Sequence, residues 1–84
     1  MRFNNNPNYI DKVIHKCEGI GFTSSDEGIN LVKDAIDNNP FFSCFYNENT
    51  EEITIFQRGK KDKVHKKMKI KVIAPFFKIW KLVE

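Results

Sequence analysis

Val64-His65-Lys66-Lys67-Met68-Lys69-Ile70-Lys71-Val72-Ile73 is the stretch on which the fold turns. Met68, Ile70 and Val72 alternate with Lys67, Lys69 and Lys71, the period-two pattern of a strand with one apolar and one charged face. Val64, Met68 and Val72 also sit four apart, as on one side of a helix. The β-rich Ile70-Lys71-Val72-Ile73 decides for the strand, because branched side chains suit a pleated surface and lose rotamer freedom in a helix. With His65 read in the same row as the lysines, the stretch predicts a strand with a cationic face.

The neighbouring segments agree. Glu52-Ile53-Thr54-Ile55-Phe56-Gln57 alternates, and Phe41-Phe42-Ser43-Cys44-Phe45-Tyr46 is compact and aromatic. The polar Asn47-Glu48-Asn49-Thr50-Glu51 joins them, which predicts a β-hairpin. Arg58-Gly59-Lys60-Lys61-Asp62-Lys63 is the charged connection to the third strand. After Pro75, residues 76–83 fit either a helix, with Phe76, Ile79, Trp80 and Val83 on one face, or a fourth strand. Ala74 is a poor helix cap and the segment is aromatic and β-branched, so a strand is expected.

Before residue 41 the period is helical. Ile10, Val13, Ile14 and Cys17 recur at helix spacing behind Pro7, with Asn6 placed to cap, which predicts a helix over 7–18 ended by Gly19 or Gly21. Ser24 and Glu27 form a capping-box pattern, and Ile29, Val32 and Ile36 line one face of a helix over 25–38 that Asn39-Pro40 terminates. The expected fold is therefore α+β, an N-terminal αα-hairpin packed on one face of a three- to four-stranded antiparallel sheet.

The chain has 84 residues, enough for one domain over 1–84. Eight Phe, two Tyr and one Trp supply large buried surfaces for its core. No apolar run approaches membrane-spanning length and residues 1–20 lack a signal-peptide pattern, so a cytoplasmic protein with no membrane partner is expected. Two cysteines, Cys17 and Cys44, make no disulfide framework, and both read as core residues. With His15 and His65 they lack the spacing of a metal site, so no cofactor is expected. Asn, Ile, Lys and Phe make up 39 of the 84 residues. Their codons are AT-rich, which fits the genome of a phage or other mobile element, a low-GC bacterium or some protists alike.

The net charge of +3 hides a division. Residues 1–57 sum to −5 and the basic C-terminal third, 58–84, to +8. Lys67, Lys69 and Lys71, two apart on a strand, would repeat every 6.6–6.8 Å or so, close to the phosphate spacing of an extended nucleic-acid strand. Arg58, Lys60, Lys61, Lys63, His65 and Lys66 extend this cationic row as candidate phosphate contacts. Aromatic residues on a sheet face left open by the helices would add base stacking. A solvated, lysine-rich strand that discourages aggregation explains the same charges without a ligand.

His65 beside Lys67 is the one arrangement that suggests phosphate chemistry, and no second acid or base accompanies it, so no catalytic residue is assigned. The sequence points to a non-enzymatic nucleic-acid-binding regulator or inhibitor, antitoxin-like, favouring RNA and neutralising a nuclease or host factor in an RNA-assisted way. The competing expectation is a protein-interaction module or inhibitor working through a strand edge or through acidic helices bearing Asp11, Glu18, Asp26, Glu27, Asp34 and Asp37. Homo-oligomerisation of acidic against basic halves belongs to the same class. A third expectation, a helical tail using Lys78, Trp80 and Lys81 at a membrane surface, ranks below both.

Overall fold

The computed structural model describes residues 7–37, 39, 41–59 and 63–83. Helix α1 spans Pro7–Glu18, and its spacing puts Ile10, Ile14 and Cys17 on one buried stripe. The Gly19 N–H closes the helix on the His15 and Lys16 carbonyls, both at 3.2 Å. The Asn6 cap expected from the sequence lies outside the described residues. The link to the next helix holds strand β1, Gly21–Phe22.

Helix α2, Ser25–Asp37, starts as its capping pattern predicts, with one adjustment. The Glu27 N–H donates to Ser24 Oγ at 3.2 Å. The Glu27 carboxylate, however, accepts from the Thr23 N–H and hydroxyl, at 3.1 and 2.8 Å, one residue upstream of the cap itself. These bonds, the Thr23 N–H foremost, hold the Glu27 carboxyl below its usual range. Val32 and Ile36 are buried, with Ile29, Leu31 and Ala35 packed beside them.

Four further strands follow, β2 (Phe42–Asn47), β3 (Glu52–Gln57), β4 (Lys63–Ala74) and β5 (Phe77–Leu82). All pairings are antiparallel and the sheet order is β1-β5-β4-β3-β2. The last four strands form a meander, and β1 returns to pair along the free edge of β5, Gly21 with Ile79 and Phe22 with Lys78. The fold is α+β, as the sequence predicts, with five strands in place of three or four. The extra strand is β1, two residues long and too short to carry a period. Residues 77–82 form the strand, and no helix among the described residues is long and apolar enough to cross a membrane.

Both helices cover one face of the sheet. Phe22, Phe42, Ile53, Ile55, Met68, Ile70 and Trp80 from five strands meet Ile10, Ile14, Cys17, Val32 and Ile36 in a single core. Trp80 sits at its centre, tilted against Phe22 at 5.6 Å and edge-on to Tyr46 at 6.4 Å. Its indole N–H donates to the Gly28 carbonyl at 2.8 Å, so the largest buried side chain has its polar atom satisfied by α2. Glu18, at the end of α1, accepts the Leu82 N–H at 2.8 Å. That amide faces the side of β5 that β1 is too short to reach, so the carboxylate finishes the edge. Cys17 is buried, which pushes its thiol pKa up, and Cys44 packs against the core half-buried.

Candidate nucleic-acid interface

Cross-strand partners share a face, so the register sorts every strand residue. Across β3, β4 and β5, Ile53 pairs with Met68 and Met68 with Leu82, and Ile70 pairs with Trp80, all on the helix side. The residues between them face away from the helices. On β4 these are Lys67, Lys69 and Lys71, all exposed. The alternation in the sequence thus places these three lysines in one row along a central strand, on the sheet face that no described element covers.

The register adds a fourth cation. Lys69 stands directly opposite Lys81 on β5 and opposite Glu52 on β3, while Lys71 pairs with Ile79 and Lys67 with Thr54. Lys81 is exposed too. Two like charges directly opposed on one sheet face repel, and Glu52 is the one carboxylate in that cross-strand row. The sequence reading missed Lys81 because its place depends on the β4–β5 register. Trp80, grouped with Lys78 and Lys81 in the expected membrane-surface tail, is fully buried in the core, and the tail is a strand.

The other predicted site residues go elsewhere. The β3–β4 register shifts between Ile55 and Phe56, which pair with Lys66 and Val64, so β4 carries an extra residue at His65. This β-bulge puts Lys66 on the helix side opposite Ile55, and Val64 on the outer face opposite Phe56. His65 turns inward as well, its Nε2 2.8 Å from Asp11 Oδ1 on α1 and its ring tilted against Phe42 at 5.4 Å. The expectation that His65 stands in the lysine row is therefore corrected, because an alternating reading cannot see a bulge. It also separates His65 from Lys67, the pairing that suggested phosphate chemistry. Lys63 pairs with Gln57, on the Ile53 and Ile55 side of β3. Arg58 follows β3 and is exposed, its N–H donating to the Phe41 carbonyl at 2.9 Å. Lys60 and Lys61 lie outside the described residues.

The aromatic residues of β2 divide in the same way. Phe42 and Tyr46 turn to the core, while Phe45 points outward with 63% of its surface exposed. Phe45 pairs with Thr54, and Phe56 lies two residues further along β3 on the same face. With Val64 they line an open depression of about 440 Å³. The bulge is what brings Val64 there in place of His65.

The helix layer carries less free acid than its composition suggests. Asp11 is engaged by His65 and Glu18 by Leu82, while Asp26, Glu27 and Asp34 are exposed, as are Lys12, Lys16 and Lys33. Among the described residues no three His, Cys, Asp or Glu side chains converge as metal ligands would. Comparisons with known protein families, with curated proteins and with solved structures find no match.

Proposed function

We propose that this chain is a non-enzymatic nucleic-acid-binding protein, RNA favoured, of the regulator or inhibitor kind, and that it binds through the outer face of its sheet. The observation that supports this reading is the set of Lys67, Lys69, Lys71 and Lys81 on one uncovered face, with Lys69 set against Lys81. A row of lysines along a strand offers point charges at the spacing of backbone phosphates, which gives affinity without base specificity. A polyanion would relieve the Lys69–Lys81 repulsion that the free protein bears.

Titration of labelled RNA at a series of salt concentrations tests the proposal. Four phosphates engaged on a single strand give a slope of log affinity against log salt of about −3, and an affinity loss of roughly 50-fold between 50 and 200 mM salt. Reversing the charge of Lys67, Lys69 and Lys71 together should flatten that slope, whereas Lys66→Glu, on the other face, should leave it nearly unchanged. Absence of binding at low salt would sink the reading.

One feature favours the competing protein-interaction reading. Strand β2 is the outermost strand on its side of the sheet, so its outward N–H and C=O groups can accept a strand from a partner. That mode predicts a complex that survives nuclease treatment and does not respond to polyanions.

A further inference from the structure

The Phe45 ring lies at one end of a cross-strand row, Phe45–Thr54–Lys67, that crosses β2, β3 and β4. Neighbouring strands are about 4.8 Å apart, so roughly 10 Å of backbone separates the ring-bearing and lysine-bearing positions. Thr54 between them is small, and the depression it floors is open on the solvent side. From Lys67 the row of cations continues along β4 through Lys69 and Lys71, at a right angle to the row that holds the ring. An aromatic platform thus sits to one side of a line of charges spaced like phosphates. A nucleic-acid strand has the same layout, with bases projecting sideways from a charged backbone.

We propose that this face selects single-stranded nucleic acid by stacking an unpaired base in the depression of Phe45, Thr54, Phe56 and Val64 while Lys67, Lys69 and Lys71 hold successive phosphates. The inference rests on the nucleic-acid reading and specifies its ligand. A duplex keeps its bases stacked inside the helix, where a ring standing on a sheet face cannot stack on them, so it offers this surface phosphates alone. A single strand offers both, and every base has a face that an exposed ring can take. With Glu52 the one carboxylate opposite the three lysines of β4 on this face, the charge row favours a polyanion over an uncharged or basic peptide, and the exposed ring beside it favours a polyanion that carries bases.

Three labelled probes of equal phosphate number test the proposal by fluorescence anisotropy at fixed salt: an oligouridine of about eight nucleotides, the abasic chain of the same length, and duplex RNA. Oligouridine should bind about 5- to 150-fold more tightly than the abasic chain, the range expected for one stacked base. Phe45→Ala should lower oligouridine to the abasic level, leave the abasic and duplex affinities unchanged, and be reversed by Phe45→Trp. Because Phe45 is exposed, these variants should melt like the parent. The comparison of oligouridine with the abasic chain needs no variant. Equal affinity for those two probes, or an unchanged oligouridine affinity in Phe45→Ala, would overturn stacking while salt-dependent binding left the phosphate reading standing. No binding of any probe at low salt would overturn both.

Discussion

Gly28 sets helix propensity against packing. By helix propensity alone an alanine outranks a glycine by up to about 1 kcal/mol, so Gly28→Ala, in the first turn of α2, would ordinarily stabilise. Here an added Cβ would come within 2.5 Å of the Phe22 ring, which is itself wedged against Trp80. Overfilling such a contact costs roughly 1–3 kcal/mol, and moving α2 to relieve it would stretch the Trp80–Gly28 hydrogen bond. Gly28→Ala should therefore destabilise, by a net amount on the order of 1–2 kcal/mol, read from the urea midpoint. His65 makes the complementary case. Its bond to Asp11 and its contact with Phe42 tie α1 to β4 on the side away from the lysine row. His65→Ala should cost about 1–2 kcal/mol of stability and leave RNA affinity unchanged under conditions where both proteins are folded. A large loss of affinity in the folded variant would return His65 to the interface.

The first turn of α2 gives a pH dependence with a definite sign. The Glu27 carboxyl has a lowered pKa in the folded protein and an ordinary one near 4.5 in the unfolded chain. Between these two values the unfolded chain holds more protons, so stability rises with pH there and is lost as acid protonates Glu27. The start of α2 should fray first, seen as reduced protection of the Thr23 and Glu27 amides, relative to an unstructured chain at the same pH, as pH falls below 4.5, and Glu27→Gln should remove this portion of the acid response. These helix signals were legible in the sequence because apolar spacing and caps are local, and the β2–β3 hairpin was legible for the same reason. Strand β1 was not, since two residues show no period and their pairing with β5 is a long-range event. The two register shifts, both adding a residue to β4, were equally hidden. Hence alternation found Lys67, Lys69 and Lys71, which lie between the two slips of register. It misplaced His65, which sits at the first of them, and could not pair Lys69 with Lys81.

Taken as one body, the protein puts its helices over one sheet face and leaves cations on the other, and the two faces answer to different demands. The buried face is matched throughout, with no described buried side-chain polar atom lacking a partner. The open face opposes Lys69 to Lys81, an arrangement that works against the free protein. Lys81→Glu would replace this repulsion with an attraction across β4 and β5. Stability should rise by about 0.2–1 kcal/mol, and the gain should shrink as added salt screens the pair. The same change removes one phosphate contact and sets a negative charge in the proposed path of the nucleic acid. The salt slope for single-stranded RNA should then weaken by roughly 0.7, with a loss of affinity at every salt concentration. Thermal melts and RNA titrations on one preparation read both effects, and their opposite signs are the point. A lysine kept only to solvate the sheet would give the stability gain with no loss of binding, and that result would take Lys81 out of the interface and assign it to solubility.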